Sequence, residues 1–300
     1  MDGFTVSQPE GLRNPVVIIA FTGWSDTGTV TTDAAQQFVD AFNAHQFMDV
    51  DPEDYYVFTD TRPTVRITEG GLREIIWPQN NAYAAEMQGY DRDLVIISGA
   101  EPNLRWRTFS ERLAEVIADL NPSLVCTLVA RPAATPHTRP IPVTGSSADA
   151  QLAARYGLGR SMYQGPTGVV GVIHDALRDR NIPLISLAAG VPHYLNVPEN
   201  PPATMALLQA VGGVTGWDIP MGDLPAEGEQ FLARVEEASS GDEQIAQYVR
   251  TLEEHYGEPE DEEQQQGQGD AELPSADDVL RDIEDFLRRG DDDDEEQPSP

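Results

Sequence analysis

Four side chains carry the chemistry for acid, base or anion work: Asp26, His137, Arg139 and His193. Each sits in a stretch punctuated by glycine or proline. Asp26 lies in Gly23-Trp24-Ser25-Asp26-Thr27-Gly28. This turn lacks the GxGxxG and GxxxxGK[ST] spacings that cradle phosphates. It reads as a tight turn in which Asp26 caps a helix and Trp24 packs at the surface. The other reading is a pocket for phosphate or another ligand. His137 and Arg139 occupy Thr135-Pro136-His137-Thr138-Arg139. An imidazole and a guanidinium on a proline-stiffened loop can hold an anion. Prolines equally pre-order a loop for a protein interface. His193 sits in Gly190-Val191-Pro192-His193-Tyr194, just past an apolar run, where open α/β sheets place their ligands. Ser25, Asp26 and His193 can be drawn as a triad, but no GxSxG elbow accompanies them.

The remaining polar signals are weaker. His174 falls within a helical pattern and reads as a satisfied helix residue. No histidine pair has HxxxH spacing, so no metal is expected. The single cysteine, Cys126, lies in the apolar run LVCTLVA and reads as an inert core thiol. Trp106, between Arg105 and Arg107, resembles an exposed anchor of an interface.

Charge narrows the partners. The 300 residues hold 51 acids against 19 basic residues, a net of −32, and every basic residue is arginine. Residues 223–300 hold 27 acids and 5 arginines, a net of −22. Such a field repels polyanions, and no nucleic-acid partner is expected. Without lysine there is no Schiff base, lysine general base or P-loop lysine. No apolar run approaches the roughly 20 residues of a spanning helix. The first residues show no basic flank or apolar signal region, which predicts a cytoplasmic protein away from membranes.

The elements that must position these loops follow from periodicity. VVIIAF at residues 16–21 is a run suited to a strand buried on both faces. Val30, Ala34, Ala35, Phe38 and Phe42 then fall at helical spacing. Residues 46–54 read as a polar connection and 55–59 as a second strand. Two short runs around Gly70-Gly71 predict a β-hairpin. LVIIS at 94–98 is another buried strand, and Asn103 reads as the N-cap of a helix that Pro122 stops. Residues 124–130 form a strand. The four prolines of residues 131–147 exclude a central strand or a helix interior there. A short helix over 149–156, a helix after Gly168, a strand at 183–189 and a helix over 201–211 ended by Gly212-Gly213 complete the pattern. Strand and helix alternate about four times, which predicts an α/β sandwich with a mostly parallel sheet.

The domain reading has five parts. Residues 1–222 form the α/β core and 223–257 a C-terminal helical extension. Residues 258–274 form an acidic linker expected to be disordered. Residues 275–290 form a terminal amphipathic helix, and 291–300 an acidic tail.

FTGWSDTG, GAEPNLRWRTF, TPHTRPIPVTGSS, GPTGVVGVIHDA and AAGVPHYL occur in this order. Together they resemble the PAC2 family of proteasome-assembly-chaperone-like proteins, in its bacterial, actinobacterial-type branch. The resemblance covers about residues 12 to 290. It implies a three-layer α/β/α fold similar to nucleoside phosphorylases, with homo-oligomerisation, here expected as a trimer. It also implies kinship with chaperones that help assemble proteasome α-rings. Members that dock on those rings use a hydrophobic-Tyr-X tail, whereas the residues here end Gln297-Pro298-Ser299-Pro300. The family offers no catalytic motif and no cofactor to carry over.

The expectation is a non-enzymatic, oligomeric interaction protein, with Trp24, Ser25, Asp26, Trp106, His137, Arg139 and His193 as candidate pocket or interface residues. The alternative is an enzyme or nucleoside- or phosphate-type binder that gathers Asp26, His137, Arg139 and His193 into one cleft.

Overall fold

The computed structural model describes residues 3–68, 70–195, 197–241 and 243–256. The expected linker, terminal helix and acidic tail of residues 258–300 lie outside the described residues.

Four strands run parallel at the centre: β2 (Val16–Phe21), β7 (Leu94–Gly99), β8 (Leu124–Ala133) and β10 (Leu184–Pro192). Antiparallel strands flank them. On one side lie β6 (Asn80–Ala85), β3 (His45–Val50) and β1 (Phe4–Val6); on the other is β9 (Val143–Ser146). The order is β1-β3-β6-β7-β2-β8-β10-β9. All six residues of β2 are buried, as a central strand covered on both faces requires.

Because side chains alternate along β2, each face recruits its own helices. Val16, Ile18 and Ala20 pack with α1 (Val30–Ala41) and α5 (Pro201–Thr215). Val17, Ile19 and Phe21 pack with α2 (Trp106–Asp119) and α4 (Val169–Arg178). The result is the three-layer α/β/α sandwich. A short α3 (Ala150–Tyr156) borders β10. Two further helices, α6 (Leu224–Ser240) and α7 (Glu243–Glu254), build a small separate core on Tyr194 and Leu195 through Phe231, Val235, Ile245, Val249 and Leu252.

The hairpin forms as predicted, from β4 (Thr64–Ile67) and β5 (Arg73–Ile76), in a two-stranded sheet of its own. Three expectations need correction, those for residues 46–54, for residues 55–59 and for the end of the 201–211 helix, and two strands, β6 and β9, carry no strand signal of their own. The strand lies at β3, not at residues 55–59. There Asp51 accepts from the Glu53 N–H, with Pro52 opening a 3₁₀ turn, so the chain bends before Tyr55. Tyr55 then packs its ring on Phe109 at 5.4 Å. β6, Asn-Asn-Ala-Tyr-Ala-Ala, has little strand propensity and is held by its neighbours β3 and β7. The proline-rich stretch contains β9, an edge strand that needs only one pairing partner. α5 runs through Gly212-Gly213 to Thr215 and ends at Gly216, whose φ of 76° is left-handed.

Candidate functional site

The loops after the parallel strands meet at one end of the sheet. After β2, the Asp26 carboxylate accepts from the N–H of Thr31 (2.9 Å), the N–H of Thr32 (3.4 Å) and the Thr32 hydroxyl (3.2 Å). The two N–H groups are first-turn donors of α1, which a helix leaves without intrahelical partners. Asp26 is therefore a helix cap. Burial pushes its carboxyl up to about 6, against the pull of those hydrogen bonds. Ser25 is buried, and its carbonyl accepts from the Ala130 N–H of β8 at 2.9 Å. Trp24 stands in solvent, 64% exposed.

The residue that fixes this loop is Glu101, just beyond β7. Its two carboxylate oxygens accept from the Trp24 N–H (3.1 Å) and the Val169 N–H at the start of α4 (2.6 Å). Glycines make room for it. A Cβ at Gly23 would lie 2.8 Å from Glu101 Oε2, and one at Gly168 would lie 2.6 Å from Oε1. Glu101 thus joins loops from three elements, and it negates the positive end of α4. Its signal in the sequence is the Gly-x-Glu that ends a buried strand, with nothing to name its partners.

The histidines form a second cluster, beyond β8 and β10. The Tyr194 hydroxyl accepts from the His137 backbone N–H at 2.6 Å and lies 2.7 Å from His137 Nδ1. Its proton therefore goes to Nδ1, and the ring carries its own proton on Nε2, facing Glu236 at 3.3 Å. His193 has the opposite tautomer. Nδ1–H donates to the Ala133 carbonyl at 2.9 Å, and Nε2 accepts from the Tyr248 hydroxyl at 2.6 Å. The Tyr194 and Tyr248 rings meet edge to face with centroids 6.1 Å apart. Burial holds His137 below the usual imidazole range and pushes the Tyr194 phenol up.

Arg139 is half exposed and lies 4.0 Å from Glu253 of α7, to which Thr138 also donates at 2.5 Å. Tyr256 closes the seam by donating to the Pro140 carbonyl at 2.8 Å. The proline-rich loop is thus fastened to α6 and α7. Beside it is a cavity of about 410 Å³, lined by His137, Arg139, Ile141, Met205, Phe231 and Leu232 among others. Asp26 and His193 are not among its lining residues.

The sequence-predicted residues therefore divide. His137, Arg139 and His193 come together at the α6–α7 seam. Trp24, Ser25 and Asp26 belong to the Glu101 loop cluster. Trp106 is not an exposed anchor: it is part-buried against the second core, and its indole N–H donates to the Pro102 carbonyl within its own turn. Asn103 does not cap α2; it accepts from the Val57 N–H and the Thr61 hydroxyl instead. His174 is satisfied, as expected, by Thr127 at 2.9 Å. The sequence reading missed Glu101, Tyr194 and Tyr248 as organising residues. Tyr194 adjoins His193, and Tyr248 lies on the apolar stripe of a helix, so both read as ordinary packing. Among the described residues no group of three histidine, cysteine or acidic side chains is placed to hold a metal, and no helix is long and apolar enough to cross a membrane.

These features define a three-layer α/β/α protein whose strand-end loops are fastened to each other and to a helical cover. The chain belongs to the PAC2 family, whose model matches residues 20–239. It is similar to a PAC2 family protein of Streptomyces avermitilis, 38% identical over 78% of this chain and 99% of that one, with a TM-score of 0.73. It is also similar to a proteasome-assembly chaperone homologue of Mycobacterium tuberculosis, 40% identical over 78% of this chain and 99% of that one, with a TM-score of 0.70. An archaeal proteasome activator of Pyrococcus furiosus shares the fold at 19% identity, covering 79% of this chain and all of that one, with a TM-score of 0.62. No curated protein matches this chain.

Proposed function

We propose that this chain is an oligomeric protein-interaction member of its family with an assembly-chaperone-like role, and that it is not an enzyme. The observation that carries this reading is the state of the two histidines. Each accepts a proton from a tyrosine and spends its other nitrogen on Glu236 or Ala133. Neither has a nitrogen left for a substrate, so they serve as fasteners of the helical cover. Support also comes from what the same end of the sheet displays. Trp24, Leu104 and Tyr163 stand exposed on the three loops around Glu101. A tryptophan on a rigid, pinned loop is the type of side chain that anchors interfaces.

The similarity to a proteasome-assembly chaperone homologue of Mycobacterium tuberculosis supports proteasome subunits as the partner class, in a cytoplasmic setting. In this reading the chain assembles as a homotrimer. The test adds purified full chain to the host's proteasome α subunits and follows particle formation on native gels. Faster formation of complete rings supports the role; unchanged kinetics and no complex oppose it.

A second reading rests on the cavity that His137 and Arg139 line. A nucleoside- or phosphate-type ligand there would raise the apparent unfolding temperature. No shift with nucleosides, nucleotides or inorganic phosphate removes that reading.

A further inference from the structure

The cavity of about 410 Å³ beside the proline-rich loop is walled by apolar side chains from three segments. Ile141 comes from the loop, Leu195, Pro202 and Met205 from the end of β10 and α5, and Phe231 and Leu232 from α6. Two of its polar liners are already engaged. His137 is held by Tyr194 and Glu236. Asn200 caps α5, accepting from the Ala203 N–H at 3.1 Å. Arg139 and Gln209, which also line it, are exposed to solvent. Such a wall suits an apolar occupant.

The described residues end at this wall. The Tyr256 hydroxyl donates to the Pro140 carbonyl at 2.8 Å, and Pro140 is itself a lining residue. Residues 257–300 continue from there. Within them Val279, Leu280, Ile283, Phe286 and Leu287 share, at helical spacing, one stripe of about 120°. The charged residues of 277–289 all fall outside that stripe. A helix this short is marginal in water without a surface to pack on. We infer that the cavity is the dock for this segment: residues 276–289 of the same chain lie across it as a helix and insert side chains of the apolar stripe.

Length permits the reach. For residues 257–275, coil dimensions of 5–6 Å × √n give a root-mean-square span of about 25 Å, and the cavity wall lies where that span begins. A tether of this kind holds the segment near the cavity at about millimolar concentration. Size decides what enters. A helix with its side chains is about 10 Å across, so the cavity takes side chains from one face and not the helix itself. This is helix-in-groove recognition, with anchors spaced by three, four and seven residues. Tethering also answers the charge. The segment holds five acids and three arginines, and the whole chain has a net charge of −32. A separate partner of that sign would meet repulsion first. An attached segment needs no long-range attraction.

The test uses the full chain throughout, with circular dichroism to check folding. Gln209→Cys/Ile283→Cys places thiols at the cavity and on the apolar stripe. Gln209→Cys/Arg281→Cys is the control, with its second thiol on the opposite side of the helix. Cys126 is buried and stays out of the reaction. Under mild oxidation in dilute solution, the first pair should close within one chain at least about tenfold faster than the control, because a disulfide needs its two Cα atoms close together. Equal rates in the two pairs overturn the proposal, and so does a first pair that links only between copies. A second readout uses the apolar dye anilinonaphthalene sulfonate. Leu280→Asp/Phe286→Asp should take up severalfold more dye than wild type, and adding Met205→Asp should remove the gain. Equal uptake by wild type and Leu280→Asp/Phe286→Asp, or a gain that survives Met205→Asp, overturns the dock. Neither readout involves proteasome subunits, so failure here leaves the proposed function standing.

Discussion

His193 Nε2 accepts the hydroxyl proton of Tyr248 across 2.6 Å. That bond ties the end of β10 to α7, and with the His137–Tyr194 pair it turns two candidate catalytic bases into structural joints. Tyr194 links the two pairs, since its ring touches His137, His193 and Tyr248 edge to face. The helices α6 and α7 pack on Tyr194 and Leu195 through their small core, and these polar joints add directional bonds to that contact.

Tyr248→Phe removes the donor and leaves His193 Nε2 unpaired at a partly buried position. The expected loss is about 1 kcal/mol, the usual worth of such a hydrogen bond. Because the bond fastens the cover alone, amides of α7 should exchange faster while those of α2 keep their protection. Hydrogen exchange by mass spectrometry checks this. Equal acceleration in both helices would contradict it.

The pH dependence has two opposing parts. Burial holds His174 down at about 4, against 6.5 when free. The fold keeps it neutral, so its contribution is whole above pH 6.5 and is lost as pH falls towards 4, by about 3 kcal/mol at 1.36 kcal/mol per pH unit. His137, also held down, acts in the same direction. Asp26 is raised from 3.8 to about 6, so the folded state binds its proton first. Its effect is a gain in stability as pH falls from 6 to 3.8. The two largely offset each other in wild type. Asp26→Asn removes the gain, and its stability should fall more steeply with acid than that of wild type. Urea unfolding between pH 4 and pH 7.5 measures both slopes; parallel slopes would refute the assignment.

Gly168→Ala tests the Glu101 clamp. The added Cβ would sit 2.6 Å from Glu101 Oε1 and 3.1 Å from Trp24 Cβ. Glu101 is held by two N–H groups and has no easy retreat. Displacing it leaves the Trp24 and Val169 N–H groups without their acceptor, at an expected cost of about 1–3 kcal/mol. Thermal unfolding of the variant should show a lowered midpoint, and an unchanged midpoint would show that the clamp carries little.

Much of this was legible in the sequence, for physical reasons. VVIIAF and LVIIS announce central strands because a strand covered on both faces must be apolar throughout. The hairpin is announced by its Gly-Gly turn. β3 and β6 were not legible: His45, Gln46 and Asp49 are exposed, Asn80 is buried as a polar partner of Tyr56, and these strands take their place from their neighbours. The candidate site was half legible. Asp26 as a helix cap follows from its position before α1. The tyrosine partners of His137 and His193 come from positions 57 and 55 residues away, a separation across which local pattern carries no information. Trp106 misled because flanking arginines signal exposure, whereas the indole folds back on Pro102.

The most direct measurement is the affinity of the full chain for the host's isolated proteasome α subunits, wild type against Trp24→Ala, by biolayer interferometry with unfolding midpoints recorded alongside. Trp24 is largely exposed, and alanine keeps the backbone N–H that Glu101 holds, so the midpoints should stay close. Wild type should bind, and the variant should lose at least about tenfold in affinity. No binding by wild type, or equal binding by both, would contradict it.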